Sequence, residues 1–175
     1  MPTRKIPALR HQNTEVEQVV FESGAILLYW AEWQGRFLPQ DANLRWQCLQ
    51  WLFWQVGGLG PMAGQAHHFR VYADVKDDYA IERYERECQK LYAVLEGQLQ
   101  AKSFLAVPYS IADIAPLPWV YRHVRHGIDL ADYPSVLNWY TELMARPAVA
   151  TGFTVGEDLM LEGGFNSAVA KKSLF

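Results

Sequence analysis

Lys5-Ile6-Pro7-Ala8-Leu9 and, further on, Phe21-Glu22-Ser23-Gly24-Ala25-Ile26 decide how this chain is read. An Ile-Pro bond ahead of a short strand has access to the cis form, which turns the N–H and C=O of the preceding residue sideways. An extended peptide can then pair with Ile6 as a neighbouring strand would. Phe21 to Gly24 reads as the end of a second strand running into a helix. Ser23 at the helix start offers a hydroxyl and free backbone N–H groups, which suit a carboxylate. Glu22 beside it suits an ammonium, so the pair fits an amino-acid head that carries both charges. Singly, an Ile-Pro step is an ordinary loop dipeptide and a serine at a helix start is an ordinary cap. The order and spacing carry the reading.

Around this stretch the pattern is two strands and then helices. Pro7 to Gln12 and Val16 to Glu22 read as strands flanking a polar turn at Asn13-Thr14-Glu15, the second rich in Val and Phe. Ser23 to Gln34 reads as a helix stopped by Gly35 as a left-handed cap. Asp41 to Val56 is apolar on nearly every face, with Trp46, Trp51, Phe53 and Trp54 among its residues, so it needs more than one neighbour. Gly57-Gly58 and Gly60-Pro61 are expected to kink or break it before a helix resumes from Pro61 to about Tyr72.

Asp77 to Ala101 carries an apolar stripe, Ile81, Tyr84, Cys88, Leu91, Leu95 and Leu99, at steps of three and four. Glu82 with Arg86 and Arg83 with Glu87 have the spacing of same-face ion pairs. Ser110-Ile111-Ala112-Asp113 is a capping box, with Tyr109 and Ile114 placed to form a hydrophobic staple. Pro116 and Pro118 come next and are poorly tolerated inside a helix, so a local distortion is expected. Pro134 opens another helix with Val136, Trp139, Tyr140 and Leu143 on its buried face, ended by Pro147. From Thr151 to Phe175 the periodicity is lost.

These residues resemble the glutathione transferases, and the Nu class of bacteria in particular. The likeness runs from Lys5 to about Val149. Its most specific part is Leu49-Gln-Trp-Leu-Phe-Trp-Gln-Val-Gly-Gly-Leu-Gly-Pro-Met62. Gln65 to Phe69, Tyr79 to Tyr84, Tyr109 to Ile114, Ile128 to Pro134 and Arg146-Pro-Ala-Val149 extend it. The resemblance implies a mainly α fold. An all-helical transferase C-terminal domain over 39–150 would succeed a partial thioredoxin-like piece over 1–38, made of a β-hairpin and one helix. An irregular tail would occupy 151–175. It also implies glutathione as cosubstrate and a small electrophile or a disulfide as second substrate. Lys5, Ile6, Pro7, Glu22 and Ser23 would bind glutathione, and Arg83 is a further candidate that could reach the site across a dimer interface. The apolar excess of the Leu49 to Met62 segment predicts a homodimer.

A transferase of this kind places a βαβ unit and a helix ahead of the Ile-Pro step, and a loop in that unit holds the residue that activates the glutathione sulfur. Only Met1 to Lys5 precede Ile6 here. No catalytic residue is therefore assigned, and activity is expected to be impaired. The alternatives are a non-catalytic module that dimerises or binds glutathione, and a decayed gene product.

Composition narrows the remaining classes. The chain has 175 residues, half of them hydrophobic, and a net charge of −3. Acids and bases are interspersed, which argues against nucleic acid as a main partner. The longest apolar run, Ala25 to Ala31, is too short to cross a bilayer. Two cysteines, Cys48 and Cys88, both within helical patterns, point to a reducing, cytoplasmic setting. His67-His68 face different sides of a helix. His123 and His126 share a face, but Arg122 and Arg125 beside them suggest a polar surface rather than a metal site.

Overall fold

The computed structural model describes residues 6–12 and 17–155. Lys5, the expected turn at Asn13-Thr14-Glu15, the start of the second strand at Val16 and the tail from 156 onward lie outside the described residues.

Strands β1 (Ala8–His11) and β2 (Gln18–Phe21) pair antiparallel, Ala8 opposite Phe21 and His11 opposite Gln18. Both are shorter than the sequence pattern allows. The Ile6–Pro7 bond is cis, and so is Val107–Pro108, which the sequence does not signal. Helix α1 (Ser23–Gln34) ends at Gly35, whose φ of 62° is the left-handed cap conformation glycine adopts without steric cost. The inner face of the hairpin meets α1 through His11. Its Nδ1 lies 2.7 Å from the Tyr29 hydroxyl, and its ring packs edge-on against Trp33.

The helical body is organised around α2 (Ala42–Trp54), α3 (Gly60–His67), α4 (Asp78–Leu99) and α7 (Pro134–Met144). Where Gly57-Gly58 is expected to kink or break the helix, the chain does not break. The chain passes from α2 to α3 through a widened π turn, Gln55–Leu59, and leaves α3 through a second, His68–Tyr72. A π turn accommodates the extra residue without releasing the helix axis. Glycine is required at Gly60, where an added Cβ would stand 2.9 Å from the Gln55 amide nitrogen and 3.4 Å from the Trp119 indole nitrogen.

On α4 the predicted stripe is the core face, with Cys88, Leu95 and Leu99 buried and Tyr92 joining them. The predicted pairing of Arg83 with Glu87 is not formed. Glu87 takes Lys90 instead, at 2.8 Å. Among the described residues, Glu82 and Arg86 form no ion pair with each other either. Glu85 reaches Arg70 at 2.7 Å.

The capping box forms as read: the N–H of Ala112 donates to the Ser110 hydroxyl, and the Asp113 carboxylate accepts from the Ser110 N–H. Beyond it Pro116 divides the chain into two short helices, and Pro118 sits in the first turn of the second. Helix α5 (Ile111–Ile114) ends at Ala115, and α6 (Leu117–Val120) restarts after Pro116. Proline lacks the N–H that would continue the ladder and crowds the preceding turn. Pro147 does more than close α7; it is the first residue of α8 (Pro147–Thr154). Regular structure thus extends into the segment from Thr151 that the lost periodicity marks as irregular. Proline at a first helical turn loses no hydrogen bond, which is why it starts this helix.

Candidate functional site

Glu22 lies between strand and helix with φ 69° and ψ 123°, a conformation that side-chain-bearing residues rarely adopt. It is the residue ahead of the helix, so Ser23 is the first helical residue and not the cap that the sequence pattern suggests. No side chain caps α1. The Glu22 carbonyl accepts the Ile26 N–H at 2.9 Å, which leaves the N–H groups of Ser23, Gly24 and Ala25 without intrahelical partners. The helix runs 12 residues, enough for its aligned peptide dipoles to favour an anion at this end. Glu22 and Ser23 are both exposed.

The local frame is held from behind. An added Cβ on Gly24 would sit 3.0 Å from Val56 Cγ2 and 3.8 Å from Leu52 Cδ1, so the start of α1 is pressed onto the end of α2. A free amide end, a carboxylate and a serine hydroxyl are thereby presented to solvent on a packed base. Ile6 is 90% exposed and lies beyond the β1–β2 pairing, which starts at Ala8. Pro7 comes after it and is exposed.

The structure brings Glu22 and Ser23 together and places Ile6 and Pro7 at the start of the neighbouring strand. It does not bring Arg83 to them. Arg83 is exposed on α4 and forms no hydrogen bond or ion pair with Glu22 or Ser23. Lys5 lies outside the described residues. The left-handed Glu22 was not legible, since nothing but the tertiary frame demands positive φ of a glutamate.

Neither thiol belongs to this site. Cys48 and Cys88 are free and buried. Burial raises the Cys48 thiol above its usual range and pushes Cys88 up to about 12, with Glu85 and Glu87 adding to the latter. Both stay protonated at neutral pH.

The histidines are also placed differently from the expected polar surface. His126 is wholly buried, with neither ring nitrogen hydrogen-bonded among the described residues, and His67 is buried nearby at 6.1 Å between ring centroids. Arg125 Nη1 approaches His67 Nε2 at 3.2 Å. Burial lowers His67 to about 4, with Arg125 and Arg122 contributing, and lowers His126 to about 3. A cation beside two uncharged rings opposes a metal ion, and no group of three ligating side chains occurs among the described residues.

Comparison with known proteins places these observations. Residues 59–147 match the model of the glutathione S-transferase C-terminal domain. The chain is 52% identical over 151 residues to the disulfide-bond oxidoreductase YfcG of Escherichia coli strain K12, covering 84% of this chain and 70% of that protein. It is 43% identical over 159 residues to the disulfide-bond oxidoreductase YghU of the same organism, covering 86% of this chain and 55% of that one. Among solved structures it superposes with a glutathione transferase of Burkholderia graminis, crystallised with two glutathione molecules per subunit. The TM-score is 0.81 at 37% identity, over 88% of this chain and 68% of the other. No helix among the described residues is long and apolar enough to cross a membrane.

Proposed function

The chain belongs to the glutathione S-transferase family, and from that premise we propose that it binds glutathione by the γ-glutamyl head at the start of α1. The observation that carries this reading is the uncapped helix end with Glu22 in the left-handed conformation ahead of Ser23. The α-carboxylate of the head accepts from the Ser23 hydroxyl and the free N–H groups of the first turn. Its α-ammonium pairs with the Glu22 carboxylate. Ile6, exposed beyond the ladder, offers its backbone to the cysteinyl unit, with Lys5 and Pro7 flanking it. Arg83 is retained as a contact made from a second subunit.

The chemistry proposed is glutathione-dependent: reduction of a disulfide or conjugation to a small electrophile, in a reducing cytoplasm where Cys48 and Cys88 stay as thiols. The 52% identity to a disulfide-bond oxidoreductase supports the first of these. A second reading, glutathione binding without turnover, is favoured by one fact: both cysteines are buried, so neither offers a thiol at the surface. No metal and no nucleic acid enter either reading. A homodimer is proposed from the outer face of α2, where Trp46 is 65% and Phe53 66% exposed and, seven residues apart, share one face of the helix.

Calorimetric titration with reduced glutathione tests the site. Glu22→Gln and Ser23→Ala should each weaken binding, the former about tenfold or more, since hydrogen bonds to charged groups contribute about 1.5–3 kcal/mol. Equal affinity in all three proteins would remove both residues from the site. Reduction of hydroxyethyl disulfide by glutathione, against a heat-treated control, separates the catalytic reading from the binding one. Light scattering at micromolar concentration tests the dimer, and a clean monomer mass would end that proposal.

A further inference from the structure

Between α2 and the C-terminal end of α4 lies a cavity of about 520 Å³, a size within the range of small-molecule sites. Gln47, Gln50, Trp51 and Trp54 line it from α2, and Gln98 and Lys102 line it from the end of α4 and just past it. It is separate from the start of α1. At about 100° a residue, the four α2 positions centre about 150° round the helix axis from Leu52, whose side chain meets Gly24. They centre about 100° round from Trp46 and Phe53, so the cavity is also on a different face from the proposed dimer contact.

Its lining has polar capacity that the fold does not use. Gln98 spends one amide N–H on the Leu105 carbonyl at 2.7 Å and keeps its amide oxygen. The Gln47 and Gln50 amides and the Trp51 and Trp54 indole N–H groups form no hydrogen bond among the described residues. The two indoles stand edge-to-face with ring centroids 5.1 Å apart, and both are half-buried against the core. Packed in this way they make a fixed aromatic wall.

Lys102 supplies the charge. It forms no ion pair among the described residues, and no carboxylate lines the cavity. Glu142 shares a neighbouring hollow with Lys102 without pairing to it, and the Glu96 carboxylate is taken up by the N–H groups of Ser135 and Val136.

The negative face of an indole attracts polarised C–H groups, and a planar amide can donate to one hydroxyl while accepting from its neighbour. A purely apolar ligand would strip water from three amides and return nothing to them. One ammonium balances one negative charge. We propose that this cavity binds a hexuronic acid, with the sugar ring against Trp51 and Trp54, its hydroxyls on Gln47, Gln50 and Gln98, and its carboxylate on Lys102.

The probe is methyl β-D-glucuronide, compared with methyl β-D-glucoside and with cyclohexanecarboxylate. Each is titrated into the full chain and followed by the indole N–H resonances of Trp51 and Trp54. The glucuronide should bind one to one and about threefold to fivefold more tightly than the glucoside, the scale of one exposed ion pair. Cyclohexanecarboxylate keeps the ring and the charge but lacks the hydroxyls, and should bind at least about fivefold more weakly than the glucuronide. Lys102→Gln should bring the ratio of the two sugars to near one and leave glucoside binding in place. Gln50→Leu should weaken both sugars, and Trp54→Leu should abolish binding of both. Thermal melts check folding, and because Gln50 and Lys102 are exposed, their variants decide the matter if Trp54→Leu unfolds. No shift of either indole resonance up to about 20 mM glucuronide would overturn the proposal. So would equal binding of the two sugars, cyclohexanecarboxylate binding as tight as the glucuronide, a ratio unmoved by Lys102→Gln, or displacement of the sugar by glutathione.

Discussion

Glu22 and Asp113 are two carboxylates at the starts of two helices, and their surroundings are opposite. Glu22 is exposed, in a rare backbone conformation, and bonds no backbone N–H of α1 with its side chain. Asp113 is buried and accepts from Leu105 N–H at 2.9 Å, Ser110 N–H at 3.1 Å and the Trp139 indole N–H at 3.0 Å. It joins the loop before α5, the start of α5 and the middle of α7. Burial raises it to about 6 against the pull of those donors. The first carboxylate keeps its bonding capacity free of the helix it precedes, as the proposed site requires; the second spends it inside the chain. On the proposed reading, function and stability rest on different carboxylates, and substitutions should separate them.

The largest effect expected is from Asp113→Ala. It leaves three buried donors without an acceptor and should cost about 3 kcal/mol or more, read as a lower urea midpoint. If Asp113→Ala melted like the parent, the contrast with Glu22 would collapse.

Acid should come next. His67 and His126 have folded values below the unfolded 6.5, so the unfolded chain takes up their protons first, and stability falls as pH drops from about 6.5 toward 4. Asp113 has the reverse sign. Its folded value lies above the unfolded 3.8, so its contribution is greatest below that value and is lost as pH rises from about 4 to 6. Two groups oppose one, and the melting temperature should fall on acidification. His126→Leu should flatten that fall and cost little at pH 7, because it removes two buried nitrogens that have no partner among the described residues. An unchanged pH profile in His126→Leu would refute this.

Glu96 is an intermediate case. Its carboxylate accepts the N–H groups of Ser135 at 2.9 Å and Val136 at 3.0 Å, capping α7 from another helix. Glu96→Ala should cost about 1–2 kcal/mol, the scale of a helix cap. Smallest is Glu22→Gly, which relieves the positive φ and should raise stability by about 0.5–1 kcal/mol while weakening glutathione binding. A loss of stability there would mean that the glutamate side chain, and not its ligand, holds the strand-to-helix turn.

Much of this is legible in the sequence. The stripe on α4, the stop at Gly35, the capping box and the interruption at Pro116 each rest on interactions within one or two turns, and local patterns report those well. The hairpin and α1 are legible for the same reason, as is the adjacency of Glu22 and Ser23. The failures are of longer range. The π turns that carry α2 into α3, the pairing of Glu87 with Lys90 and the burial of His126 depend on neighbours that periodicity does not name.

By itself, then, the sequence determined the two strands, the order of the main helices and the family, and singled out one short stretch for the proposed site, because helix periods, caps and prolines act locally. Tertiary structure alone decided that Asp113 gathers Leu105 and Trp139, that Glu96 caps a helix about forty residues away, that Glu22 is forced into the left-handed region, and that Trp51, Trp54, Gln98 and Lys102 line one cavity. Each of these is a meeting of groups distant in the chain, fixed only when the core packs and excludes water.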